Sequence, residues 1–248
     1  MTIRSQADLE GMRRVGRLVA ECFPVLEAMV RPGVTTAQID AEAERFFTSR
    51  GATSGPQRDY DFPGFICISV NDEIVHGIPG AREIVPGDLV KLDVTAECDG
   101  YIADAAISVP VPPVEDATRR LIACAREAFE AAMQVTRAGL PIVGIGRAVE
   151  AVATRHGFQV VRELSGHGVG RRVHEPPEVP NWDDPSIQGR LHAGQVIAVE
   201  PILSAGPGRA LEASDGWTML QEHALLAVHH EHTLVVRDGP PLILTAAA

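Results

Sequence analysis

Four carboxylates in this chain of 248 residues stand where strands rarely tolerate them. Asp93 lies in VKLDVT, Asp104 in YIADAAI, Glu200 in VIAVEPIL and Glu231 in EHTLVV, each within an apolar, strand-like run. A bare carboxylate costs several kcal/mol to bury, so something must neutralise these. One divalent cation neutralises two of them, and a pair neutralises four. His167, set among glycines in SGHGVG, adds an imidazole where a metal or substrate can approach closely. Four carboxylates and one imidazole suit two ions sharing bridging carboxylates, roughly 3.5–4 Å apart. Oxygen-rich ligation accommodates Mn, Fe or Co at least as well as Zn and needs no thiolate. The chemistry such a pair performs is hydrolysis, because a bridging water becomes a hydroxide near neutral pH.

The elements that position these side chains follow from local patterning. KLDVTAECDGYIADAAISV alternates apolar and polar residues on either side of Asp99-Gly100, a β-hairpin signal. A Cys98-Asp99 loop would place Asp93 directly opposite Asp104; an Asp99-Gly100 loop would place the two diagonally. Either even-length loop leaves both carboxylates on one face of the sheet.

The chain also repeats itself. Leu9, Met12, Val15, Val19, Cys22 and Leu26 predict an amphipathic helix over 8–30, and the box Thr35-x-x-Gln38 starts a second that stops at Gly51. Residues 116–138 and 144–156 form a similar pair ending at Gly157. A shift of 106 superimposes the pairs, with Arg13, Glu21, Phe23, Gly33, Ile39 and Gly51 meeting Arg119, Glu127, Phe129, Gly139, Ile145 and Gly157. Val75-His76-x-x-Pro79 then matches Val173-His174-x-x-Pro177, and the run into Asp93 matches the run into Glu200 at a shift of 107. Glu231, in a third strand over 229–236, stands as partner to Asp104. Two α-α-β halves, about 1–110 and 111–248, divided in VPVPPVED, would form one domain with carboxylates converging between them. A lone acid in a strand is ordinarily a turn contact; duplication argues for Asp93 and Glu200 as a functional pair, and likewise for His76 and His174. His156, His192, His223, His229, His230 and His232 read as solvated or structural, and Asp72, Glu73, Asp88 and Asp99 as solvated near turns.

Composition excludes some classes. Hydrophobic content of 45% and charged content of 22% are ordinary for a globular protein, and a net charge of −11 argues against a nucleic-acid partner. Lys91 is the only lysine among 22 basic residues. The four cysteines, Cys22, Cys67, Cys98 and Cys124, form no CxxC pair. With no apolar stretch resembling a signal peptide or membrane span, a cytoplasmic protein with reduced thiols is expected.

NDEIVHGIPG, VKLDVTAECDGYIAD, GHGVGRRVHEPPEVPN, VIAVEPIL and EHTLVV together resemble the signature blocks of the type I methionine aminopeptidases, from about Ser5 to Gly239. The resemblance implies the pita-bread fold, an α/β arrangement of two pseudo-symmetric halves around a dinuclear centre. It implies that Asp93 and Asp104 bind one of two divalent ions (Co, Mn, Fe or Zn) with Asp104 bridging, and that His167 and Glu200 bind the other with Glu231 bridging. His174 would contact the substrate carbonyl, His76 would lie near the scissile amide, and Tyr60, Phe62, Cys67 and Trp217 would line a methionine pocket. The implied activity is removal of the initiator methionine when the second residue is small, by a cytoplasmic monomer acting on nascent N-termini near the ribosome. Departures are visible: Ala105-Ala106 replace Thr-Ser, Val173 an aromatic residue, Ala227 a serine, and His229-His230 a Gln-aromatic pair.

Two rivals share part of this pattern. Aminopeptidase P and prolidase enzymes have the five ligands, but usually an added N-terminal domain for which this chain has no room; HGIPG and Trp217 also favour methionine. A non-catalytic pita-bread binding protein would be expected to have lost ligands, and here all five stand.

Overall fold

The structure is a computed structural model, and it describes residues 1–246. Helix α1 (Gln6–Glu27) starts at Ser5, whose side chain accepts a hydrogen bond from the Asp8 N–H, two residues ahead of the expected start. Its buried face is the one the spacing predicts: Met12, Val15, Val19, Cys22 and Leu26. The box at Thr35 forms in both directions, Gln38 N–H donating to the Thr35 hydroxyl and Thr35 N–H to the Gln38 side chain, and opens α2 (Thr36–Thr48). A short α3 (Gly55–Tyr60), with Pro56 in its first turn, is too brief to leave a periodic signal. The second helix pair is α4 (Asp116–Val135) and α5 (Val143–His156). The repeat extends to backbone conformation. Gly51 and Gly157 close their pairs at φ 73° and 78°, and Gly87 and Gly194 enter the ligand-bearing strands at 91° and 83°.

A nine-stranded antiparallel sheet runs through both halves. The first half supplies the hairpin Leu89–Cys98 and Tyr101–Pro110, flanked by Cys67–Val70 and Thr53–Ser54. The second supplies Glu231–Val235, Val196–Val199, Gly166–Gly168 and Glu175–Val179 in spatial order, with Leu242–Ile243 beside the first of these. The seam pairs Glu231 with Ala106 and His232 with Ala105. The hairpin turns at Asp99-Gly100, both at positive φ, so Cys98 pairs with Tyr101, Thr95 with Asp104 and Asp93 with Ala106. This register sets Asp93 and Asp104 diagonally on one face.

Alternation then sorts the faces. Leu92, Val94, Ala103 and Ala105 point outward to α1 and α2, while Ile197, Val199 and Leu234 point outward to α4 and α5. The opposite face carries the acids. Two small sheets cover that face; in one, Glu73–Val75 of the first half pairs with Met219–Gln221 of the second. The expected single strand over 229–236 is two strands, Ala227–His229 and Glu231–Val235, in different sheets. The break falls at His230, whose N–H bonds the Pro201 carbonyl. No helix among the described residues is long and apolar enough to cross a membrane, and the four cysteines are free and buried.

Candidate metal centre and active site

One cavity of about 270 Å³ is lined by Asp93, Asp104, His167, Glu200 and Glu231, and by His76, His174, Tyr60, Phe62, Cys67 and Trp217. Every side chain singled out in the sequence for chemistry therefore faces the same space. Asp104, His167, Glu200 and Glu231 are each less than 9% exposed, and Asp93 is half-buried at the cavity wall.

Two triplets present donor atoms within 4.8 Å of one another: Asp104, His167 and Glu231, and Glu200, His229 and Glu231. Glu231 belongs to both; Asp93 belongs to neither and flanks Asp104. His167 Nε2 stands 3.6 Å from Glu200 Oε1 and 3.9 Å from Asp104 Oδ2. Its Nδ1 is 3.0 Å from the Gly168 carbonyl, a contact that turns Nε2 toward the carboxylates. Glu231 Oε1 is buried without a hydrogen-bond partner. Burial pushes Asp93, Glu200 and Glu231 above the usual carboxylate range. Asp104 and Glu200 repel Asp93 further, and the Glu200 carboxyl reaches about 8 despite the opposing pull of His167. Converging, desolvated, mutually repelling carboxylates with an unpartnered oxygen fit divalent cations and fit little else.

The sequence reading missed several supports. Thr95 Oγ1 donates to Asp104 Oδ1 at 2.7 Å, so a hydroxyl reaches the acid from the facing strand although Ala105-Ala106 carry none. Thr233 Oγ1 accepts from the Asp104 N–H at 2.9 Å and donates to the Asp104 carbonyl at 2.8 Å, clamping that backbone across the seam. Both threonines sit at alternate positions facing an acid, a signal legible once register is known. Asp88, read as solvated, is buried and holds Asn71 Nδ2 and the Val85 N–H. His229, read as solvated or structural, lies in the cavity wall with 2% exposure.

At the cavity mouth Tyr60 and His174 meet, hydroxyl to Nδ1, at 2.6 Å. Burial, with His167 and His76 nearby, lowers the His174 pKa to about 4. His76 approaches from the other half at φ 58°, and burial lowers its pKa as well. Phe62 packs edge-on against Trp217, ring centroids 5.1 Å apart, with Cys67 on the same wall.

The model of Metallopeptidase family M24 matches residues 10–238. The chain belongs to metallopeptidase family M24. Within it, the chain is 38% identical over 247 residues to methionine aminopeptidase 2 of Bacillus subtilis (strain 168), covering 99% of both. The solved methionine aminopeptidase of Rickettsia prowazekii superimposes with a TM-score of 0.94 at 33% identity, over 99% of this chain and 100% of that one. The fold is thus the pita-bread fold of this family. The Xaa-Pro dipeptidase of Bacillus anthracis, at 19% identity and a TM-score of 0.80, shares the fold alone, and the chain spans 62% of its length.

Proposed function

We propose that this protein is a metal-dependent aminopeptidase that removes the N-terminal methionine from polypeptides whose second residue is small. The observation that carries the reading is the single cavity that sets five metal-ligating side chains against an aromatic and sulfur-lined wall, in a chain whose whole-length relatives are named methionine aminopeptidases. Asp93, Asp104, His167, Glu200 and Glu231 would hold the divalent ions between them, with Glu231 common to both donor triplets. When bound, such a pair supplies a hydroxide nucleophile near neutral pH and Lewis-acid polarisation of the scissile carbonyl.

The remaining residues orient and stabilise. Tyr60 donates its hydroxyl proton to His174 Nδ1, leaving the Nε2–H of a neutral imidazole free to donate to the carbonyl oxygen as it gains charge. His76 faces the departing amine from the opposite half. Phe62, Trp217 and Cys67 receive the methionine side chain, whose thioether packs well against aromatic edges. The halves 1–110 and 111–248 act as one catalytic unit because ligands come from both. We extend the reading to nascent chains near the ribosome as substrates and to a cytoplasmic monomer; the net charge of −11 is not that of a nucleic-acid binder.

The test reconstitutes metal-free protein with single metals and compares Met-Ala-Ser, Met-Leu-Ser and Ala-Pro-Ala. Met-Ala-Ser should turn over much faster than either of the others. Preferential cleavage of Ala-Pro-Ala would transfer the assignment to the Xaa-Pro peptidases, and no cleavage with any metal would leave a binding protein.

A further inference from the structure

His229 is the side chain that the proposed division of labour leaves unused. It ends the strand Ala227–His229, where its main chain is clamped by Ser108: the Ser108 hydroxyl accepts from the His229 N–H at 3.0 Å and donates to the His229 carbonyl at 2.9 Å. That clamp aims the ring at the carboxylates. Nε2 lies 3.2 Å from Glu200 Oε2 and 3.4 Å from Glu231 Oε2, yet neither ring nitrogen makes a hydrogen bond. A buried imidazole without partners is costly. Here its nitrogen stands close to two carboxylate oxygens without donor–acceptor alignment. Lone pairs converging on a shared point take up that arrangement. Glu200 then lies between two imidazoles, His167 facing Oε1 and His229 facing Oε2.

We propose that His229 is a sixth protein ligand of the metal centre, supplying the imidazole of the Glu200–Glu231 triplet. This rests on the metal centre assigned above and adds to it. Each added imidazole moves a site away from the hard, oxygen-preferring Mn²⁺ and toward Zn²⁺, Fe²⁺ or Co²⁺. The identity of residue 229 therefore helps set which metal the centre prefers.

The experiment loads the whole protein with Co²⁺ and counts coordinated imidazoles by paramagnetically shifted proton resonances and by X-ray absorption, with affinity measured by calorimetry. The wild type should show two ligating imidazoles, His229→Gln one, and His167→Gln the other. His229→Gln should also weaken cobalt binding by more than the roughly 10–100-fold that loss of an outer-shell partner causes. One imidazole in the wild type overturns the proposal even if the variant fails to fold, and so does an unchanged count or affinity in a folded His229→Gln. No cobalt binding by the wild type would instead overturn the metal centre itself.

Discussion

In the first half, Asp93 and Asp104 reach the cavity from one hairpin, closed by a two-residue turn and offering only oxygen atoms. In the second half, His167, Glu200, His229 and Glu231 come from four separate strands or their ends and mix oxygen with nitrogen. The backbones repeat down to the φ of paired glycines, so the fold alone does not impose this difference. The repeated scaffold delivers a side chain to the centre from each half, while the kind of atom delivered differs. The cavity histidines differ as well. His76 is held within the first half at a positive φ, whereas His174 stands at the mouth and leans on Tyr60, a residue of the other half.

The sharpest way to break the contrast is at the seam, where each half supplies one of the carboxylates proposed to bridge. Asp104→Asn and Glu231→Gln each remove a carboxylate proposed to bridge, one from each strand of the Ala106–Glu231 pairing. Each should abolish turnover, a larger loss than the 10²–10³-fold, roughly, typical of a single oxyanion donor. Measurable kcat in one variant but not the other would show that one half holds a sufficient centre by itself.

The next test separates ligand from non-ligand within the second half. His174→Ala should lower kcat by about 10²–10³-fold, or about 3–4 kcal/mol, with little change in KM or bound metal. His167→Ala should lose metal together with rate. Because burial and two neighbouring imidazoles hold the His174 pKa near about 4, its ring is neutral at ordinary pH. The wild-type kcat profile should then show no His174 limb near the usual histidine value of about 6.5. Metal loss by His174→Ala equal to that of His167→Ala would make His174 a support of the centre.

The same contrast explains what could be read in advance. Helix faces, the Thr35 box and the Asp93–Asp104 hairpin are set by neighbours a few residues apart, and they were legible. Which of two hairpin registers forms was not, because both satisfy the alternation; the positive φ of Asp99 and Gly100 selects one. His229 was invisible for a different reason. Its role depends on a strand break at His230 and on a clamp by Ser108, 121 residues away, neither of which leaves a local pattern. Thr95 and Thr233 were missed because hydroxyls in strands are ordinary until a cross-strand partner is known. The four acids Asp93, Asp104, Glu200 and Glu231 stood out because acids in apolar strands violate a local rule, and functional sites are where such violations concentrate.

The smallest effect sharpens the comparison through protons. In the metal-free protein Glu200 has its pKa raised from the ordinary 4.5 to about 8, chiefly by burial. The folded state therefore holds a proton on this carboxyl that the unfolded chain releases at lower pH. The resulting stability is present below the unfolded value and is lost as pH rises toward the folded one, at about 1.4 kcal/mol per pH unit for one proton. A cation entering the second-half triplet must displace that proton. Metal affinity should climb by at least tenfold per pH unit from neutrality toward the Glu200 value, with Glu231, also raised by burial, adding to the slope. Calorimetry in buffers of different ionisation enthalpy should register at least one proton released per centre filled, and the metal-free protein should lose thermal stability over the same interval while the loaded one does not. An affinity that stays flat with pH would mean that Glu200 is already ionised before metal arrives. The second half would then hold its carboxylate by pairing with His167 and His229, and the burial that distinguishes its chemistry from that of an exposed acid would have no energetic consequence.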